Sequence, residues 1–228
     1  MIRELVKDID PNTSILDKEG ELLYKLVLKY CPENCKIVEI GSWKGRSTIW
    51  LAKAAQIKKG LVYAVDPHKG MEGKTDSTSF EEFRTNIKRA GVEDIVVLVR
   101  LSSEEALGYE LIPRLVDFVF IDGDHSIEAV NFDFCNWSLR TKLDSGIVAL
   151  HDTIGYTGPK NLISKILWLW GSYGPVGIAG QVVALKVRDK FSNSKNRLWF
   201  FYWKLYSLLF LTVHYLIPKR IKEVIKKW

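Results

Sequence analysis

The sequence predicts an α/β fold, an open and mostly parallel sheet with helices wound on both faces. Three observations predict it. Apolar, β-branched runs of strand length alternate with apolar repeats of helical period along most of the 228 residues. The stretch Lys36 to Trp50, KIVEIGSWKGRSTIW, passes from a strand-type run through two glycines into a helical pattern. Two further apolar runs end in acids, LVYAVD at Asp66 and FVFID at Asp122, where open α/β sheets bind their ligands.

The elements follow in order. Leu16 to Tyr30 carries Leu22, Leu23, Leu26 and Val27 at helical spacing, and Pro32 ends it. Ile37, Val38 and Ile40 mark strand one, Arg46 to Ala55 the next helix, and Lys58, Lys59 and Gly60 the turn into strand two, Leu61 to Asp66. Pro67 to Ser79 is a polar loop, long enough for a lid over a ligand or for a merely disordered connection. Phe80 to Ala90 is a helix with Phe80, Phe83 and Ile87 on one face, closed by Gly91. Strand three is Ile95 to Val99. In LSSEEAL, Ser102 or Ser103 followed by glutamates has the chemistry of a helix start. Val116 to Ile121 is strand four, a buried-type run apart from Asp117. A helix over Ile127 to Leu139, strand five over Gly146 to Leu150, a helix over Pro159 to Trp170 and a last strand over Gln181 to Val187 complete the body.

Charge is unevenly distributed. From Lys190 onward nine Lys and Arg face one acid, Glu223, whereas the remainder is nearly neutral although the whole chain is formally +6. The basic balance therefore belongs to the tail, and no nucleic-acid partner is expected. Cys31, Cys35 and Cys135 are odd in number and lack zinc-finger spacing, which fits a reduced, intracellular protein. MIRELVKDIDPNTS has no apolar stretch, so no secretory signal is expected.

The turn reads Glu-x-Gly-x-x-x-Gly, unlike the Gly-x-Gly-x-x-Gly of dinucleotide binders. Trp43 and Lys44 occupy the space a pyrophosphate would need, which points to a nucleoside ligand without one. Asp66 follows Gly41 at close to the roughly 20-residue offset of a ribose-binding acid. A glycine-bounded turn alone would also suit any parallel strand and its helix.

Glu39, Gly41, Gly45, Ser47 and Asp66, followed by IDGDH and LHDT, resemble the class I S-adenosylmethionine-dependent methyltransferases, particularly the small metal-dependent O-methyltransferases of catechols and antibiotic sugars. The resemblance spans Leu16 to Val187. It implies a Rossmann-like sheet of seven strands with the last antiparallel, and S-adenosylmethionine held by Glu39, Gly41, Ser47, Asp66 and Ser103. Leu101 stands where the family often has glycine. It further implies a divalent cation, magnesium or manganese, at Asp122, His151 and Asp152, with His125 as general base and Asp124 as its helper. Catechol-type relatives carry a carboxylate where His151 stands, which leaves its role as a ligand open and makes manganese or iron easier to accommodate. N-capping is the structural alternative for Asp122, Asp124 and Asp152, and a surface or capping role for His125.

The chemistry is coherent with those residue types. Methyl transfer from a sulfonium to an alcohol is a displacement at carbon, and the hydroxyl must lose its proton. A divalent cation on hard oxygen ligands lowers that proton's pKa, and an imidazole can accept it near neutral pH. The expected acceptor is a hydroxyl of a sugar or other small metabolite, lipid-linked in one version. The alternatives are a metal-dependent hydroxylase or oxygenase on the same fold, since a relative described as a cephalosporin hydroxylase shares the motif series, and a membrane-recruited binding module without catalysis.

Residues 1–189 are expected to form the methyltransferase domain and 190–228 a basic, aromatic-rich helical tail. Leu198 to Ile217 holds one formal charge, Lys204, in a length close to the roughly 20 residues that span a bilayer. On a helix Lys204, Ser207 and His214 form a narrow polar stripe. Lys219, Arg220, Lys222, Lys226 and Lys227 follow as a basic end suited to anionic headgroups. Three readings compete: an in-plane membrane anchor, a helix for homodimerisation or core packing, and a true span. The first places the protein in the cytoplasm, peripheral at the inner face of a membrane.

Overall fold

The computed structural model describes residues 2–70, 78–188 and 193–212. Seven strands form one sheet in the order β3-β2-β1-β4-β5-β7-β6, with β1 Lys36–Ile40, β2 Leu61–Val65, β3 Val96–Val99, β4 Phe118–Ile121, β5 Ile147–Leu150, β6 Tyr173–Ala179 and β7 Val182–Val187. β1 to β5 pair in parallel, and β7 runs antiparallel to both β5 and β6. This is the Rossmann-like doubly wound sheet expected, with the last strand reversed.

Alternation along each strand builds two cores. Ile37, Val62, Phe118, Phe120 and Ile147 face one side with α2 (Asp17–Tyr30) and α3 (Arg46–Ile57), together with Phe83 and Ile87 of α4 (Ser79–Arg89). Val38, Ile40, Val119, Ile121 and Val148 face the other, covered by α6 (Ile127–Ser138), α7 (Thr157–Leu169) and α8 (Asn193–Leu211), with Ala106 of α5 (Ser103–Leu107). Glu39 shares its parity with Ile37, so a carboxylate is carried into the first core beneath α3. A short α1 (Ile2–Val6) precedes them all.

Several boundaries move for identifiable reasons. Strand four begins at Phe118 because Asp117 is a buried anchor: its carboxylate accepts from the Lys36 N–H and from Lys142 Nζ, both at 2.8 Å. Val116 makes only an isolated bridge to Thr141. The strand absent from the residue reading is β6, YGPVGIA, an edge strand with a register shift between Pro175 and Gly177.

The tail begins as α8, packed on α7 and β6. Its side chains are turned differently from the stripe read in the sequence: Ser207 and Trp203 are buried, whereas Leu198, Phe201, Leu205, Leu208 and Leu209 face outward. Among the described residues no helix is long and apolar enough to cross a membrane. Residues 71–77 of the expected lid, together with His214 and the basic end at Lys219, Arg220, Lys222, Lys226 and Lys227, lie outside the described residues.

Candidate active site

The C-terminal ends of β2, β1, β4 and β5 form one rim, and each delivers a polar group to it. At the β1 end, Gly41 and Gly45 both have φ of +85°, and a Cβ on Gly41 would come within 2.1 Å of the Asp122 carbonyl oxygen. The glycine turn therefore lies directly against the start of the β4 loop. Gly45 is the residue before α3 and offers no side-chain cap, so the first amides of that helix, Ser47 among them, are directed at the turn.

Glu39 is completely buried, and Thr48 Oγ1 donates to its Oε2. Burial pushes its carboxyl up to about 8; the Ser47 and Thr48 hydroxyls oppose that rise, while Asp122 and Asp66 add to it. Its Oε1 has no aligned hydrogen-bond partner although Ser47 is close, and neither do the buried Ser42 Oγ and Trp43 Nε1. Three orphaned polar atoms along one turn fit a polar ligand such as the amino-acid end of S-adenosylmethionine.

Asp66, at the end of β2, accepts from the Trp43 N–H through Oδ2 and from the His68 N–H through Oδ1, both at 2.7 Å. It ties the glycine turn to the loop after β2. His68, in the loop that follows β2, is buried at φ +51° and packs its ring 5.1 Å from Phe80 and 5.5 Å from Phe83. It is the plug that fixes Asp66. Ser103 lies further along: its hydroxyl donates to Asp133 Oδ1 and accepts from Trp137 Nε1 at 2.8 Å. Burial raises the Asp133 carboxyl to about 6 against the Ser103 hydrogen bond. Ser102, not Ser103, caps α5, with Glu105 bonding back to its N–H.

The second half of the rim is a cluster of two carboxylates and two imidazoles. Asp122, His151 and Asp152 each bring one ligating atom within 4.8 Å of the others. His151 Nδ1 is 2.9 Å from Asp122 Oδ1 and 3.3 Å from Asp152 Oδ2. His125 Nε2 is 2.8 Å from Asp152 Oδ2 and 3.9 Å from Asp122 Oδ1, and the shorter contact is a close ion pair rather than a well-aligned hydrogen bond. The His125 ring stacks on Tyr156 at 4.2 Å. Burial alone would lower the His125 pKa, but Asp122 and Asp152 raise it to about 9. His151 is held well above its ordinary value by Asp122 despite its burial. Burial would raise the Asp152 carboxyl, but both histidines hold it far below the usual carboxylate range.

The capping alternative does not describe these acids. Ser126 caps α6 by accepting from the Ala129 N–H, and Tyr156, the residue before α7, provides no side-chain cap. Asp152 instead sits at φ +54°, a left-handed conformation that turns its carboxylate to the cluster. Asp124 stands apart: it is exposed and accepts from the Ser126 N–H at 2.7 Å.

Glu19, on the first turn of α2, is the residue that sequence reasoning missed. It is 1% exposed; its Oε1 accepts from the Gln181 N–H at 2.7 Å, and its Oε2 accepts from the Leu16 N–H and lies 3.3 Å from His151 Nε2. An acid at a helix start reads as a partner of the helix dipole, and its contacts here come from 132 and 162 positions away. His151 Nε2–H faces Glu19 and Nδ1–H faces Asp122; loss of the Nδ1 proton would turn a lone pair toward a cation held by the carboxylates. That carboxylate-histidine pairing, together with Asp122 and Asp152, fits a divalent cation of mixed oxygen and nitrogen preference.

A family model described as a methyltransferase domain matches residues 38–153. The fold is shared with several solved structures. Cofactor-bound Rv0187 from MTB superposes with a TM-score of 0.62 at 20% identity, covering 82% of this chain and 87% of that one. A putative O-methyltransferase from Klebsiella pneumoniae gives 0.60 at 18%, covering 82% and 89%. An O-methyltransferase from Bacillus cereus in complex with SAH gives 0.58 at 18%, covering 81% and 90%. With the glycine turn, the acid at the end of β2 and the reversed last strand in place, the chain belongs to the methyltransferase-domain family and shares the fold of these solved structures.

Proposed function

We propose that the protein transfers the methyl group of S-adenosylmethionine to a hydroxyl oxygen of a sugar or other small hydroxylated metabolite, assisted by a divalent cation. The observation that carries the reading is the single rim: Gly41 of the cofactor turn packs on the Asp122 backbone, and Asp122 in turn touches His151. Cofactor and acceptor sites that share a wall are what a direct displacement requires.

In this reading Asp66 accepts the ribose hydroxyls, Glu39 faces the cofactor's amino group, and Ser47 with the α3 N-terminus receives its carboxylate. Ser103 belongs to the adenine side, its hydroxyl supported by Asp133 and Trp137. Asp122, Asp152 and His151 hold the cation, for which manganese suits the imidazole better than magnesium. Once bound, the cation would supply charge that lowers the acceptor hydroxyl's pKa. The hydroxyl oxygen attacks the methyl carbon, the C–S bond breaks with its electron pair going to sulfur, and His125 Nε2 takes the proton; a cation on Asp122 and Asp152 would offset the two carboxylates that otherwise keep His125 protonated. Tyr156 keeps the His125 ring in plane for that transfer, and Asp124 shapes the loop behind it. We further propose that the C-terminal segment holds the enzyme at the cytoplasmic face of a membrane, which favours a lipid-linked acceptor.

Titration calorimetry with S-adenosylhomocysteine tests the cofactor site: binding to wild type and at least about tenfold weaker binding to Asp66→Ala are expected. Extracts incubated with methyl-labelled cofactor, with manganese or with chelator, identify the acceptor by mass spectrometry. Labelling that is indifferent to chelation removes the cation from the proposal.

A further inference from the structure

The polarity of α8 is reversed with respect to a helix that ends in water. Asn196 points inward and donates to the carbonyls of Trp170 and Tyr173, at 3.2 and 2.8 Å, and buried Ser207 donates to the Trp203 carbonyl. Leu198, Phe201, Tyr202, Leu205, Leu208 and Leu209 are each half or more exposed. Their spacing of three and four places them on one stripe, about 16 Å long at 1.5 Å per residue. Beside the stripe runs a cavity of about 350 Å³ between α7 and α8, lined by Ser164, Lys165, Trp168, Leu169 and Phe200. This is a continuous apolar surface of a kind that water-facing helices rarely keep.

The charges on the two helices have one sign. α7 and α8 carry Lys160, Lys165, Lys195, Arg197 and Lys204 and not one Asp or Glu. Arg197 lies 4.9 Å over the Trp168 ring at the mouth of the cavity, and Lys204 lies 5.4 Å from the Phe200 ring. A second copy seated symmetrically on this face would bring these bases against their own counterparts with no acid to answer them. An anionic lipid surface supplies both missing halves, acyl chains for the stripe and phosphates for its cationic border.

We propose that the outer face of α7 and α8 docks on an anionic lipid bilayer, with Leu198, Phe201, Leu205 and Leu208 entering the interface and Lys165, Arg197 and Lys204 meeting headgroup phosphates. This rests on the peripheral location proposed above and names the surface responsible. The face also has a fixed relation to the catalytic rim. Phe210 of α8 receives Lys18 of α2 at 4.9 Å, one residue from Glu19, whose carboxylate reaches His151. A bilayer against α8 would therefore run alongside the rim and bring a hydroxyl at headgroup depth to the cluster.

Vesicle flotation of the full-length protein is the test, comparing phosphatidylcholine vesicles with vesicles that also contain phosphatidylglycerol. Wild type is expected to float with the anionic vesicles and far less with the neutral ones. Leu205→Glu and Leu208→Glu should each weaken that binding by at least about tenfold, and Arg197→Glu should weaken it in a salt-sensitive way. Because these residues are exposed, S-adenosylhomocysteine binding by calorimetry should be unchanged in all three, which separates failure of docking from failure of the methyltransferase site. Wild type that ignores anionic vesicles, or glutamate variants that bind them as well as wild type, would overturn the proposal. So would a stable wild-type dimer by light scattering that Leu205→Glu converts to a monomer without any vesicle binding.

Discussion

Replacing Glu39 with glutamine isolates the electrostatic cost of the cofactor turn. Burial raises this carboxyl from 4.5 to about 8, so across that interval the folded chain keeps a proton that the unfolded chain has released. The unfolded state then binds fewer protons, and stability must fall as pH rises from 4.5 to about 8 and level off above it. Each pH unit is worth about 1.4 kcal/mol, so the full interval amounts to about 5 kcal/mol. Glutamine has the shape of the protonated acid and cannot ionise. Urea denaturation of Glu39→Gln should therefore show this decline removed and the variant more stable than wild type above about pH 8. The cofactor's ammonium, placed beside Glu39, would draw the carboxyl back toward its ordinary value, so wild type should release protons on binding S-adenosylhomocysteine at neutral pH. Calorimetry in buffers of different ionisation enthalpy reads that number, and the glutamine variant should release correspondingly less. Parallel loss of stability in wild type and variant over the same pH range would refute the reasoning.

Three further outcomes are expected. Gly41→Ala combines a left-handed backbone with a Cβ at 2.1 Å from the Asp122 carbonyl, whereas Gly91→Ala has the same kind of backbone, φ +59°, and open space. The second should cost about 1–2 kcal/mol in thermal or urea unfolding and leave S-adenosylhomocysteine binding alone; the first should cost more and abolish binding. Glu19→Ala leaves two backbone amides and His151 without their acceptor in the interior and should cost about 3–5 kcal/mol by urea denaturation, with Glu19→Gln recovering part of it. Asp152→Asn removes a carboxylate that faces both histidines, and manganese binding followed by electron paramagnetic resonance should weaken by at least about tenfold.

The strands nearest the site were legible because each is an apolar run bounded by turn residues, and their order along the chain placed Asp122, His151 and Asp152 correctly at neighbouring strand ends. Asp117 already stood out as a charge inside such a run, and its buried bonds to Lys36 and Lys142 explain it. β6 was illegible from residues because two glycines and a proline break the strand pattern, which an edge position with a bulge tolerates. Glu19, His68 and Tyr156 carried no local signal. Each acquires its role from a partner brought up by the fold, and nothing in a helix start, a loop or a lone aromatic announces that partner. The inverted face of α8 was hidden for a related reason: Ser207 reads as a surface residue until α8 is seen packed on α7 and β6 with Ser207 buried.

Arg46, the first residue of α3, spans the gap between the cofactor turn and the start of the chain. Its buried guanidinium donates to the carbonyls of Val6, Ile9 and Ile15 and to Asp17 Oδ1. Those donors and acceptors are satisfied together or not at all, so the opening segment and the helix start behind Gly45 should detach as one cooperative unit. A ligand seated at the turn must then slow amide hydrogen exchange in residues 2–17, which it never touches, because opening them would strip the support from the helix that holds it.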